Sequence, residues 1–182
     1  MAFYWNKKVL LAKIEAVYGT DPTPTGLANA MLATEIKLSP MEGQDLSREL
    51  DLPYLGGQRT IPTDLHMKLS FKVELQASGS LGVAPAWGPL LRACGVAQTI
   101  AAGVSVTYNP ISSAMESATF YLHVDGSLYK MLGARGNAKF TVSPQGIPYI
   151  EFEFWGLWTA AAAAADATPT LTGFIAPIVA SK

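Results

Sequence analysis

Cysteine, histidine and charge are all scarce in this chain of 182 residues. A single cysteine, Cys94, excludes an intramolecular disulfide and suits a reducing compartment. It lies on an apolar helix face with no paired base, so it reads as a small buried hydrophobe and not as a reactive thiol. The two histidines, His66 and His123, fall on the polar faces of different strands, and no third ligand stands at metal spacing. Charged residues make up 15 % of the chain, against roughly 25 % in an average soluble domain. With a net charge of −1, a general nucleic-acid binder with a basic footprint is excluded. Hydrophobic content is an ordinary 49 %, so Gly, Pro, Ser and Thr have taken the place of charges. A surface this poor in charge is expected to be covered in an assembly. Apolar runs are short as well: none approaches the roughly 20 residues of a membrane span. Lys13 and Glu15 interrupt the one behind Lys7 and Lys8, so no signal peptide is expected.

Catalytic constellations are missing too. There is no strained nucleophile elbow of the G-x-S-x-G kind. Gly79-Ser80-Leu81-Gly82 lacks the lysine and the following helix of a phosphate loop. Glu151 and Glu153 share one face of a strand, but they stand side by side instead of flanking a cleft as a glycosidase pair does. Neither an enzyme nor a cofactor is expected.

What the chain does contain is alternation. Leu65, Met67, Leu69, Phe71, Val73 and Leu75 interleave with His66, Lys68, Ser70, Lys72 and Glu74. Such strict period two predicts a long strand with one face on a core and the other on water. Leu32 to Leu38 and Gln44 to Leu50 also read as strand, and the hairpin partner of 65–75 is expected between about Glu35 and Leu50. Residues 51–62 make a loop longer than a hairpin needs, carrying the apolar Tyr54, Leu55 and Ile61. Further strands are predicted at 104–108, 118–124, 128–132, 138–142 and 149–158, with Asp125-Gly126 as the strongest hairpin turn. One helix is expected at about 85–94. There Trp87, Leu90, Leu91 and Cys94 share an apolar face that must dock on the flank of a sheet, and Gly95 ends the run. The organisation that follows is mainly β: a β-sandwich or barrel at 32–158 with one flanking helix. An N-terminal arm occupies 1–31, and 159–182 forms an Ala-rich linker and apolar tail that needs a partner on its own subunit or the next.

These residues resemble the tail tube (major tail) protein of long-tailed bacteriophages. The likeness rests on Leu10-Leu11-Ala12-Lys13-Ile14-Glu15 leading to Tyr18-Gly19-Thr20-Asp21-Pro22-Thr23-Pro24, on Phe71-Lys72-Val73-Glu74-Leu75, and on the stretch from Ala84 to Gly95. Val106-Thr107-Tyr108, Gly133-Ala134-Arg135-Gly136 and Phe152-Glu153-Phe154 continue it in order, over about residues 8–158. The resemblance implies a sandwich or barrel-like fold assembled as six-subunit rings stacked into a tube in the virion tail, made and built in the bacterial cytoplasm. Genome DNA would pass through it during ejection. It further implies a tape-measure protein in the lumen during assembly, completion proteins at the tail ends, and no membrane insertion. A lumen dense in Lys and Arg would hold phosphates at about one contact per charge, so a near-neutral chain suits a conduit. On this reading His66, Lys68, Ser70, Lys72 and Glu74 face the lumen. Ring stacking falls to the arm and the long loop, through Leu10, Leu11, Ile14, Tyr18, Tyr54, Leu55, Arg59 and Ile61. An inner tube of the type VI secretion kind shares this architecture, and a monomeric β-barrel ligand-binding protein is the alternative from a different class.

Overall fold

A computed structural model describes residues 4–51, 53, 56–177 and 179. Among them, in chain order, run β1 (Lys8–Ile14), α1 (Gly26–Asn29), β2 (Ala30–Met31), β3 (Thr34–Leu46), β4 (Ile61–Glu74), α2 (Gly88–Arg92), β5 (Val96–Ala101), β6 (Ser105–Pro110), β7 (Ala118–Val124), β8 (Ser127–Thr141), β9 (Tyr149–Leu157) and β10 (Ala162–Ala163). The expected mainly β fold is what the chain adopts.

The strands pair in the order β2-β1-β7-β8-β9-β4-β3, every pair antiparallel. β8 belongs to two layers. Its first part pairs with β7 up to Ala134, and it pairs with β9 at Leu132 and then from Arg135 onward, with a register shift between those two. Gly133, at φ 60°, sits in that break, where the backbone turns from one layer into the other. The first layer is therefore β2-β1-β7-β8 and the second is β8-β9-β4-β3.

The two layers pack face to face through aromatic rings. Phe120 of β7 meets Phe154 of β9 at 4.6 Å between centroids and Phe71 of β4 at 6.0 Å, edge-on. Met67, Leu69, Phe71 and Val73 are all buried, as the alternation of β4 predicts. The β7–β8 turn is also where expected: Asp125 and Gly126 both take positive φ, 41° and 86°, as a two-residue hairpin turn of the right twist requires. Trp87, Leu90 and Leu91 join the same core, while Cys94 packs against it partly buried. Trp87 donates its indole N–H to the Gln76 carbonyl at 2.9 Å, and its ring lies 5.5 Å from that of Tyr108. The helix is shorter than expected because its N-cap, Trp87, lies in a turn in which the Gly88 N–H bonds the Pro85 carbonyl. A second helical turn, α1, was not foreseen; Asn29 closes it by accepting the Thr25 N–H at 3.0 Å.

The N-terminal segment departs most from expectation. Residues 8–14 are an inner strand of the first layer, paired with β7 along their whole length and with β2 on the other side. Leu10 and Leu11 are each 1 % exposed, on opposite faces. A strand covered on both faces reads as an unbroken apolar run and loses its alternation, which is why it passes for an arm. On the far side of the first layer, Leu11, Ala30, Tyr121 and Leu128 form a second small core, capped by Ala164, Ala167 and Leu171. Ala164, Ala167, Leu171 and Phe174 of the C-terminal tail thus find apolar partners on their own subunit, while Ile175 and Val179 stay exposed.

Candidate functional site: the outer face of the second layer

β4 presents His66, Lys68, Ser70, Lys72 and Glu74 on the face away from the core, and the strands beside it extend that face. Register pairs Ser70 with Glu153, Lys72 with Glu151, Lys139 with Glu151 and Lys37 with Ser70. A shallow groove of about 310 Å³ runs across it, lined among others by Lys37, Lys72, Asn137, Lys139, Glu151 and Glu153.

Opposite charges alternate along this face. Lys68 reaches Glu153 at 2.5 Å, Lys72 reaches Glu35 at 3.0 Å and Glu151 at 3.7 Å, and Lys139 reaches Glu151 at 3.5 Å. Glu42 stands 3.7 Å from His66. Hydrogen bonding to Glu153 raises the Lys68 ammonium above its ordinary pKa, and Glu35 does the same for Lys72. These pairs are solvent-exposed and add little to stability. Their effect is on the field: each of these lysines carries its own carboxylate, so little attraction for a polyanion survives at a Debye length. Glu151 and Glu153 are both ion-pair partners of lysines.

The edges of this layer matter as much as its face. β3 pairs only with β4, and β8 beyond Arg135 pairs only with β9 among the described strands. One bond from the Gly136 N–H to the Ala93 carbonyl, at 3.3 Å, ties the second edge to α2. The layer ends in exposed apolar side chains at both sides, Met41 and Leu46 on β3 and Phe140 on β8. Unpaired edges of this length invite another strand.

The other residues singled out from sequence scatter. Leu10 and Leu11 are withdrawn into the cores of their own subunit, so they have no surface left for stacking, and Ile14 is partly buried against the core. Tyr18 is 55 % exposed and lies over Gly133, with the Arg135 guanidinium 5.0 Å from its ring. Arg59 and Ile61 are exposed at the outer end of the β3–β4 hairpin. Tyr54 and Leu55 lie outside the described residues.

Two carboxylates that sequence reasoning passed over organise the turn after β1. Glu15 accepts four hydrogen bonds, from the Gly19 and Gly133 backbones and the Ser117 and Thr119 hydroxyls. Asp21 accepts from the Tyr121 hydroxyl, Lys130 and the Thr23 backbone. Only Gly19 and Thr23 are near in sequence, so no local pattern could have marked the rest.

Fold and face together define a β building block that offers strand edges and a charge-balanced wall. The family model described as phage tail tube protein matches residues 5–181, and the chain belongs to that family. It is a structural component of the phage virion tail that self-assembles into a tube with other tail proteins. No curated protein matches the chain.

Proposed function

We propose that six copies close into a ring through the two open edges of the second layer, and that stacked rings form the conduit for genome DNA. The observation that carries this reading is the pairing state of the layer: a four-stranded sheet whose outer strands, β3 and the second part of β8, have no further strand partner among the described residues, and whose exposed face is polar and charge-balanced. Joining edge to edge around a ring removes the exposed edges and turns one face inward as a continuous wall. His66, Lys68, Ser70, Lys72 and Glu74 then line the bore, where paired charges let a polyanion slide. A tape-measure protein occupies the bore during assembly in the host cytoplasm, and completion proteins close the ends.

Ring-to-ring contact falls to the β3–β4 hairpin. Its outer half stands clear of the sandwich, with Leu46, Leu50 and Ile61 exposed and Gln58 hydrogen-bonded to both backbone groups of Leu50 across the loop. Tyr18, Arg59 and Ile61 remain the stacking contacts of this reading; Leu10 and Leu11 do not.

The purified chain is expected to form rings or tubes without ligand, metal or nucleotide, visible by negative-stain microscopy. A sharp monomer mass at high concentration, unchanged by salt or time, would overturn the reading. Ser70→Cys separates bore from outside. Burial pushes the native Cys94 thiol up to about 12, so its background reaction is slow. In assembled tubes a small thiol reagent should label position 70 slowly and a bulky one hardly at all. Fast labelling by the bulky reagent would move the bore to another face.

A further inference from the structure

The far face of the first layer is closed by residues 159–171, a strap built mostly of alanine, and beneath it lies His123. This histidine is 7 % exposed. The Ala165 backbone of the strap acts on the ring as a hydrogen-bond partner, while Nδ1 is buried with no hydrogen-bond partner among the described residues. We propose that the strap lies shut only while His123 is neutral, and that protonation of the imidazole releases it.

The geometry makes the closed strap incompatible with an imidazolium. A neutral ring needs one donor bond, which the Ala165 backbone can take, and leaves Nδ1 a bare acceptor. A protonated ring carries a second N–H and a charge, both of them buried. The groups around it offer little relief. Val9 of β1 and Leu128 of β8 stand opposite His123 in register, and neither ionises. Tyr121, on its own strand, meets it edge-on at 6.4 Å between ring centroids. Among the described residues Asp166, from the strap, is the one carboxylate acting on the ring, and it is already engaged: Lys7 holds it at 2.6 Å and the Gly126 N–H at 2.9 Å, with Asp125 also 3.5 Å from Lys7. Burial, opposed by Asp166 and the Ala165 bond, leaves the His123 pKa below its ordinary value.

Besides the two Asp166 contacts and the Thr159 hydroxyl, which donates to the Lys130 carbonyl, little holds the strap. β10 pairs with β8 over two residues only. The Ala164 N–H bonds Gly126 at 3.0 Å and the Thr170 N–H bonds Gly26 at 2.9 Å. Alanines bury little surface, so the charge state of one ring can decide the balance. Opening would bare Leu11, Tyr121 and Leu128. In the open strap the imidazole regains water and its ordinary pKa of about 6.5, so acid favours opening.

Hydrogen exchange followed by mass spectrometry on the full chain, at pH 7.5 and pH 5.0 and corrected for intrinsic rates, tests this. Amides of 162–170 are expected to exchange several-fold faster at pH 5.0, while those of β4 and β9 hold steady. Asp166 does not confuse the comparison: its hydrogen bond from Lys7 keeps its carboxyl below the usual range, so it stays ionised at both pH values. His123→Phe should abolish the acceleration, and His123→Gln, neutral and polar, carries the test if the first variant fails to fold. Equal protection of the wild-type strap at both pH values overturns the proposal. So does acceleration that survives in a folded variant.

Discussion

Glu15→Ala is expected to destabilise the subunit by at least about 3 kcal/mol, the sum of several buried donors left without an acceptor. The carboxylate is 7 % exposed and stands at the junction of three segments. Oε1 accepts from Thr119 at 2.6 Å and from the Gly133 N–H at 2.7 Å; Oε2 accepts from Ser117 at 2.6 Å and from the Gly19 N–H at 2.8 Å. Removing it strands two backbone N–H groups and unfastens the turn after β1 from the bend in β8. For a domain of this size the loss corresponds to a fall in melting temperature of roughly 6–12 °C. Glu15→Gln keeps the shape but turns an NH₂ toward one pair of donors, one of them a backbone N–H that cannot rotate away. It should therefore be damaging as well, though less so. Burial pushes the Glu15 carboxyl upward, but the four hydrogen bonds outweigh it and hold it below the usual range. The sign follows: the stabilisation is complete above the ordinary glutamate pKa and fades as pH falls through the lowered folded value. Acid should thus narrow the gap between wild type and Glu15→Gln. Matching melting curves for wild type and Glu15→Ala at neutral pH would show that the hub is dispensable.

Trp87→Ala is expected to cost about 3–5 kcal/mol, the usual range for emptying a buried aromatic site. The indole is 8 % exposed, packs on Tyr108 and satisfies the Gln76 carbonyl, so its loss opens a void and orphans an acceptor together. The helix it anchors also supplies the Ala93 carbonyl that caps the Gly136 N–H on the open edge of β8. Damage should therefore reach assembly before it reaches global unfolding. Trp87→Phe, which keeps a ring in place and gives up the hydrogen bond, should lose much less. Denaturant unfolding measures the first effect and tube length in micrographs the second. A Trp87→Ala subunit that unfolds with wild type would make the helix a peripheral ornament.

Where one face of an element meets water, the sequence was legible. β4 shows this best, since each of its apolar residues from Met67 to Val73 is buried and its polar ones share the outer face. Asp125-Gly126 was equally plain, because a tight hairpin turn needs positive φ at both positions. Legibility failed where burial is two-sided or contacts are distant. β1 lost its alternation through burial on both faces. β5 went unseen because its last three residues, Thr99 to Ala101, are exposed and its sequence, Val-Ala-Gln-Thr-Ile-Ala, carries little pattern. β8 was read as two strands, since Gly133 and Gly136 interrupt a single chain that bends from layer to layer. In the candidate site, the face of β4 followed from periodicity alone. Its countercharges from β3 and β9 needed the register, and so did Ser117 and Thr119 beside Glu15.

The pairing of β1 with β7 also sets a clock on synthesis. Lys8 faces Val124 and Ile14 faces Ala118, partners more than a hundred residues apart along the chain. At about 5–20 residues per second, the ribosome delivers β7 many seconds after β1. Throughout that interval Leu10 and Leu11 have no sandwich to enter, whereas β3 and β4 are local enough to form their hairpin at once. β9, which completes the second layer, emerges later still. A nascent chain therefore has one free edge, β3, before the sheet that carries the other exists.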